Sequence, residues 1–234
     1  MGTDRSTLDT EALGGETATE VTGLTEDRQD YWDGYYAAHR PVSRPLPSQF
    51  ASFVAGELEE PHRVVELGCG NGRDAIFFAG YGHEVVGVDA SEAAVSGCRD
   101  LAAALGAPAE FTRSHIEDPG LAERLGPSAR PTLVYARFFL HAITDDEEER
   151  LLDLAASITR PGDLLAVEYR TVRDSTGPKV TGSHFRRYVL PAEFETRALA
   201  HGFTVAYAVE GFGFAKYRTD DAYVARGLYR RHEP

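Results

Sequence analysis

Short apolar runs alternate along most of the chain with longer segments whose apolar residues recur at helical spacing. The apolar runs predict strands over 64–67, 84–88, 110–116, 132–139 and 163–169. The segments around them predict helices over 49–58, 71–80, 91–105, 145–159 and 191–200. Regular alternation of strands and helices is typical of a doubly wound α/β sheet. Two closing runs, 203–209 and 222–229, have no helical pattern between them and predict a hairpin at the sheet end.

The first 60 residues differ in composition from the rest of the chain. Residues 1–28 contain no aromatic residue and are rich in Thr, Glu, Asp and Gly, which predicts a disordered acidic tail. Residues 29–60 begin with the aromatic cluster Tyr31, Trp32, Tyr35 and Tyr36 and precede a main domain over 61–234. The cluster is either a brace on the core or a lid over a ligand. We favour a lid, since the tail precedes it and a Pro-rich link follows.

Composition narrows the classes of partner. The 234 residues carry a formal net charge of −13, which disfavours nucleic acid as a ligand. No apolar run reaches the ~18 residues of a membrane span, and no secretory signal is recognisable, so we expect a cytoplasmic protein with no membrane partner. The two cysteines, Cys69 and Cys98, are expected to be reduced, and we assign no residue to a metal.

A glycine loop between the first strand and its helix is the most specific signal. The loop reads E-L-G-C-G-N-G-R-D and places Gly68, Gly70 and Gly72 at alternate positions. Asp89 closes the second strand, 17 residues after the last glycine. Strand, loop, helix, strand and acid is typical of a nucleotide-like cofactor site. A dinucleotide loop has its third glycine where this chain has Arg73, which disfavours a nicotinamide-dependent oxidoreductase.

This loop, with Glu66 before it, resembles motif I of the class I S-adenosylmethionine-dependent methyltransferases, (D/E)-x-G-x-G-x-G. The resemblance covers about 64–169. It implies a Rossmann-like, seven-stranded, mostly parallel sheet with a C-terminal antiparallel hairpin, and S-adenosyl-L-methionine as cofactor. The cofactor-binding residues that it implies are Glu66, Gly68, Cys69, Gly70, Gly72, Asp89, Ala90, His115, Ile116 and Ala136.

The resemblance also suggests roles for individual residues. Glu66 would orient the loop or the cofactor's amino group, Asp89 would accept from the ribose, and Ala90 and Ile116 would cover the adenine. His115 stands where the family often has an acid, a place that Glu117 or Asp118 could take instead.

Simpler interpretations stay open at these positions. The loop could be only a tight turn, and Glu66 only its anchor. Asp89 could cap the next helix, although Ser91 is better placed for that. His115 could be an ordinary surface histidine.

The end of the fourth strand carries the candidate catalytic residues. Arg137 and His141 follow that strand, where the resembling family often has a small polar residue and then Leu-His-His. Arg137 could bind a carboxylate or phosphate in a bidentate pair. His141 could be a general base, with Tyr169 or Glu168 as the next candidates. The alternatives are an internal ion pair of Arg137 with Glu66 or Asp163, and a His141 that only packs beneath the sheet.

A basic cluster follows the fifth strand. An insertion there, about 171–190, is where the resembling family commonly binds its substrate. Together with the aromatic cluster, the predicted acceptor-binding residues are Tyr31, Tyr35, Tyr36, Arg137, Arg170, Arg173, Arg186 and Arg187. The alternative is a solvated loop with scattered ion pairs.

These patterns predict a methyltransferase that methylates an oxygen or nitrogen of a small carboxylate- or phosphate-bearing metabolite, in specialised metabolism. A rival of a different class is a protein with the same fold that binds the cofactor without methyl transfer, as a regulatory or interaction module. The sequence has no signature of base methylation and no basic stripe, so a nucleic-acid acceptor is disfavoured.

Overall fold

A computed structural model describes residues 18–39, 45–126, 128–176, 185–217 and 219–232. One sheet organises these residues, in the strand order β3-β2-β1-β4-β5-β7-β6. Its strands are β1 (Arg63–Leu67), β2 (Glu84–Asp89), β3 (Ala109–Arg113), β4 (Thr132–Arg137), β5 (Leu164–Arg170), β6 (Phe203–Gly211) and β7 (Val224–Arg231). The helices are α1 (Ala18–Ala38), α2 (Gln49–Gly56), α3 (Arg73–Gly80), α4 (Glu92–Leu105), α5 (Leu121–Leu125), α6 (Asp145–Ile158) and α7 (Pro191–Ala200).

The predicted fold class is confirmed. Strands β1 to β5 pair in parallel, and β7 lies antiparallel between β5 and β6. Alternate residues of β1 face opposite layers: Val65 and Leu67 belong to one apolar core, and Val64 to the other. Because β1 lies between β2 and β4, the chain reverses its winding there, which leaves a crevice at the carboxyl ends of these strands.

Side-chain caps fix where the helices beside this crevice begin. Ser91 caps α4 by accepting a hydrogen bond from the backbone N–H of Ala94. Thr144 and Glu147 form a capping box at the start of α6. Both helix starts therefore lie at the carboxyl edge of the sheet.

The N-terminal segment differs from the prediction. Helix α1 begins at Ala18, inside the segment predicted as a disordered tail, while residues 1–17 lie outside the described residues. Composition did not reveal this helix because its contacts are made with distant elements. The short helix α5 was not predicted either. None of the helices that the structure describes is long and apolar enough to cross a membrane.

Candidate active site

A cavity of about 390 Å³ lies beneath α1 at the carboxyl ends of β1, β2, β4 and β5. We call its lining residues from 66–74, 88–91 and 114–116 the glycine-loop half. The arginine half comprises its lining residues from 137–143, Arg170, Arg186, those from 215–220, and the Arg28–Glu147 pair. One face of α1 covers the cavity through Arg28, Gln29, Trp32, Tyr35 and Tyr36.

Polar contacts attach α1 on both sides of the cavity. Arg28 donates to the Glu147 carboxylate over 2.7 Å and to the carbonyl of Ala142 over 3.1 Å. At the other side, Asp33 accepts from the Ser91 hydroxyl over 2.5 Å. Tyr31 is not among the residues that line the cavity and stacks on Tyr35, so its role in acceptor binding stays a prediction. The helix is placed as a lid would be, and its opening stays a prediction.

The glycine loop is bound to the end of β2. The backbone N–H groups of Gly68 and Cys69 both donate to the carbonyl of Val88, over 2.8 and 3.1 Å. The N–H of Gly70 donates to Asp89 over 2.8 Å. These bonds fix the loop across the carboxyl end of the sheet. Both cysteines are free thiols.

Two of the glycines are required for different reasons. At Gly68, with φ at 68°, a Cβ atom would lie 2.4 Å from the ring of Phe139. At Gly72, with φ at 71°, it would lie 2.7 Å from Cys98 Sγ. Gly72 does not line the cavity, so its predicted cofactor contact is corrected: it caps α3 and lets the loop approach α4.

Glu66 lines the cavity and has one unsatisfied carboxylate oxygen. Its Oε2 atom is buried and has no hydrogen-bond partner. Burial, followed by the nearby Asp74 carboxylate, raises the pKa of Glu66 well above its ordinary value. A buried carboxylate in this condition is stabilised by a bound cation, and the ammonium group of an amino-acid moiety is a cation of suitable size.

Asp89 closes the opposite side of the glycine-loop half. Its two oxygens accept from the backbone N–H groups of Gly70 and Ser91, over 2.8 and 2.9 Å. Burial raises the pKa of Asp89 from its ordinary value, against the effect of these two hydrogen bonds. Each carboxylate oxygen can accept a further bond, so the ribose contact predicted for Asp89 remains geometrically open.

The expected adenine side is lined by Ala90, His115 and Ile116, together with Ser114, which sequence reasoning missed. Asp118 binds Arg124 and the N–H of Gly120, outside the cavity, and Glu117 does not line it. Of the three candidates for the adenine contact, only His115 therefore lines the cavity. Ala136 is fully buried in the core and does not line the cavity, so its predicted cofactor contact is also corrected.

Arg137 lies at the carboxyl end of β4, in the arginine half. Its Nε donates to Glu168 over 2.8 Å, a partner that the sequence did not indicate. Burial lowers the pKa of Arg137, but the Glu168 carboxylate raises it and the net shift is upward, so the side chain stays charged. Glu168 also accepts from Arg226 over 2.6 Å and is fully buried. It is therefore a structural acid and not the base considered from sequence.

His141 lies in a short 3-10 turn after β4 and lines the cavity. The backbone N–H of Arg170 donates to its Nδ1 over 3.3 Å. The imidazole also packs edge-on against the ring of Phe138, with centroids 5.1 Å apart. Phe138 has a positive φ of 55°, an uncommon conformation for a bulky residue that often marks functional sites.

Several predicted residues contact other protein groups instead of the cavity. Tyr169 is buried and packs on Phe194, so it is not catalytic. Arg173 is exposed and pairs with Glu210. Arg187 binds Asp145 and Glu148 and thereby attaches the start of α6.

Arg170 lines the cavity, but it binds Asp174 and Asp220, each over 2.5 Å. Arg186 lines the cavity as expected. Residues 177–184, in the middle of the predicted insertion, lie outside the described residues.

Sequence reasoning also missed part of the arginine half. Phe138, Lys216 and Tyr217 line the cavity there, and Trp32, which the sequence analysis placed in the aromatic cluster but not among the site residues, lines it from α1. Lys216 and Tyr217 lie in the connection between β6 and β7, where the sequence shows no motif. The only available signal was the position of the connection, beside the carboxyl end of β5.

The comparisons with known proteins agree with this geometry. Residues 64–162 match the family profile described as a methyltransferase domain. The match runs from β1 to just past the end of α6 and identifies this region as a methyltransferase domain. No curated protein matches this methyltransferase in sequence.

Solved structures share the fold of this methyltransferase. One of them is a structure described as concerning the conversion of a disulfide bond into a thioacetal group during echinomycin biosynthesis. Its sequence identity is 22%, the alignment covers 87% of this chain and 93% of that chain, and the TM-score is 0.66. The CcbJ methyltransferase from Streptomyces caelestis has 20% identity, coverage of 88% and 98%, and a TM-score of 0.65. The [4+2]-cyclase SpnF has 15% identity, coverage of 91% and 96%, and a TM-score of 0.65.

The residues present fit the cofactor of this methyltransferase. The unsatisfied Glu66 oxygen suits the ammonium of the methionyl part, and Asp89 suits the ribose hydroxyls. When bound, S-adenosylmethionine supplies an activated methyl group. The chain's own residues would bind and orient this cofactor, and α1 would cover it from water.

Proposed function

We propose that this methyltransferase methylates an oxygen or nitrogen atom of a small metabolite that carries a carboxylate or phosphate. The acceptor binds in the arginine half. The proposal rests on the hydrogen bonding of the Arg137 guanidinium. Glu168 binds only its Nε, and within the described residues no protein acceptor binds its terminal nitrogens. A guanidinium whose terminal nitrogens are not bound by protein is suited to recognition of an anion.

The charges of the lining support an anionic acceptor. Five cations and two acids line the arginine half: Arg28, Arg137, Arg170, Arg186, Lys216, Glu147 and Asp220. The glycine-loop half has the reverse excess, with Glu66, Asp74 and Asp89 against Arg73. Because the whole chain has a net charge of −13, this locally cationic lining favours the binding of an anion at this place.

The covering helix supports a small acceptor. Because α1 is bound to both Glu147 and Ser91, a protein or nucleic-acid acceptor would have to displace it to reach the cavity. One fold relative is described in connection with echinomycin biosynthesis, and we propose a comparable setting in specialised metabolism for this chain.

The rival function, cofactor binding without methyl transfer, has one observation in its favour. A relative of the same fold is named as a [4+2]-cyclase, and a fold does not by itself fix the reaction. Release of S-adenosylhomocysteine separates the two functions, since only methyl transfer produces it.

Tritiated S-adenosylmethionine and an extract of the source organism test the proposal. Before reaction, the extract is divided by ultrafiltration into small-molecule and macromolecular fractions. We expect label to enter the small-molecule fraction and Arg137→Gln to reduce its incorporation. Label that enters only macromolecules, or no transfer by a protein that binds the cofactor, contradicts the proposal.

A further inference from the structure

The arginine half supplies donors for an anion but, among its described residues, no side chain placed to remove a proton. We propose that the methylated atom is a carboxylate oxygen of the acceptor, so that the product is a methyl ester. This inference rests on the proposed function and narrows it. A hydroxyl must lose a proton during methyl transfer, whereas a carboxylate is already ionised at neutral pH.

His141 is the side chain whose ordinary pKa best suits a base, but its ring is oriented against that role. The backbone N–H of Arg170 donates to Nδ1. A backbone amide can only donate, so Nδ1 carries the lone pair and, in the neutral ring, Nε2 carries the proton. The basic lone pair of His141 is therefore directed at the backbone of β5 and not at the acceptor.

The described carboxylates that line the arginine half each bind an arginine. Glu147 binds Arg28 over 2.7 Å, and Asp220 binds Arg170 over 2.5 Å. Burial would raise the pKa of Glu147, but the hydrogen bonds from Arg28 outweigh it and the net shift is downward. Protonation of either acid would break its ion pair, which makes both poor bases.

Other ionisable groups and other acceptors fit less well. Burial raises the pKa of Tyr36 well above its ordinary value, so this phenol remains neutral. A protonated amine would enter a region whose lining cations outnumber its acids. A hydroxyl would lack a base, and a carboxylate requires neither a base nor an unfavourable charge pairing.

Arg137 can orient a carboxylate without occupying both of its oxygens. Its guanidinium lies over the ring of Phe138, 4.3 Å from the centroid, and its Nε is bound to Glu168. The terminal nitrogens can then bind one acceptor oxygen and leave the other to react. That oxygen forms a bond to the methyl carbon while the carbon–sulfur bond breaks and its electron pair stays on sulfur. The products are a neutral ester and a neutral thioether, and no proton moves.

Mild alkali distinguishes the possible products without knowledge of the acceptor. The small-molecule fraction labelled with tritiated S-adenosylmethionine is treated with dilute base, and volatile methanol is counted. We expect the label to be released, because esters hydrolyse under these conditions. Label that stays in a base-stable ether or amine overturns the carboxylate assignment and leaves the proposed function intact. If no small molecule is labelled, the proposed function itself fails.

The pH dependence of label incorporation gives a second readout. At a saturating concentration of S-adenosylmethionine, we expect a flat rate between about pH 6 and 7.5, where a carboxylate is fully ionised, whereas a base-dependent reaction rises with pH. His141→Gln should keep this flat profile and lose less than about tenfold in rate. A loss of more than about 100-fold, in a variant that binds S-adenosylhomocysteine normally, would identify His141 as the base.

The variant Arg150→Gln is the matched control for Arg137→Gln in these assays, because Arg150 lies on the exposed side of α6.

Discussion

The glycine-loop half takes its shape from backbone, whereas the arginine half is assembled from side chains of distant segments. In the first, Gly68, Cys69 and Gly70 donate backbone hydrogen bonds to the end of β2. In the second, Arg137 comes from the end of β4, Arg170 from the end of β5 and Lys216 from the connection between β6 and β7. A continuous motif leaves a clear sequence signal, and an assembled surface does not.

The halves also differ in charge, in a way that suits two different ligands. A buried acid with an unsatisfied oxygen, Glu66, suits a cationic cofactor. A partly buried arginine, Arg137, whose Nε alone is bound within the described residues, suits an anionic acceptor. Substitutions in one half should therefore change one ligand's binding and leave the other unchanged.

The largest expected effect is that of Gly68→Ala on cofactor binding. A left-handed conformation costs a non-glycine residue about 1–2 kcal/mol, and a Cβ 2.4 Å from the Phe139 ring adds overpacking of about 1–3 kcal/mol. We expect calorimetry to show an affinity for S-adenosylmethionine lower by about 100-fold or more. Gly80→Ala, where a Cβ meets no atom within 4 Å, should bind normally. Equal affinities for the two variants would contradict this account of the loop.

Arg137→Gln should affect the acceptor and spare the cofactor. A charge-assisted hydrogen bond contributes about 1.5–3 kcal/mol, so kcat/KM for the acceptor should fall by about 10- to 150-fold. The buried Glu168 keeps its bond to Arg226, so the fold should persist. A comparable fall in cofactor affinity would show that the two halves are not separate.

A smaller effect is expected for the pH dependence of cofactor binding. The free protein has a raised Glu66 pKa, and a bound ammonium favours the ionised carboxylate. Affinity should therefore fall as the pH decreases through that raised pKa, and binding should release protons. Calorimetry in buffers of different ionisation enthalpy, between about pH 5 and 7.5 where the cofactor's amine stays protonated, measures this release. The variant Glu66→Gln should lose this pH dependence of cofactor affinity. If the pH dependence persists in the variant, Glu66 is not the group that titrates.

Arg187→Gln should leave the kinetics unchanged and reduce stability. Arg187 donates to the carbonyl of Leu140 over 3.1 Å and pairs with the fully buried Glu148, which keeps a second ion pair with Arg197. We expect the free energy of unfolding to fall by about 1–3 kcal/mol in a denaturant titration. A raised KM for the acceptor would show that Arg187 contributes to acceptor binding, as predicted from the sequence.

The sheet and the glycine loop could be predicted because local pattern determines them. Alternating apolar runs predicted the parallel strands, and Ser91 predicted the start of α4. The exceptions in the glycine-loop half are positions whose neighbours are determined only by tertiary packing. Gly72 has the expected conformation, but its neighbour is Cys98. Ala136 ends on the buried face of β4, which spacing alone did not reveal.

The arginine half could not be predicted because charge does not specify a partner. Arg170, Arg173 and Arg187 were equivalent in sequence, yet each binds carboxylates from another part of the chain. Helix α1 was missed in part for the same reason: its anchors, Arg28 to Glu147 and Asp33 to Ser91, link residues far apart in sequence.

Titration of S-adenosylhomocysteine into the wild type, Asp89→Ala and Arg137→Gln tests the central claim most directly. Asp89 accepts the N–H of Gly70 and faces the cavity, whereas Arg137 belongs to the other half. We predict equal binding by the wild type and Arg137→Gln, with binding abolished or severely weakened in Asp89→Ala. Normal binding by Asp89→Ala, or a loss of binding in both variants, would contradict a cavity divided into a cofactor side and an acceptor side.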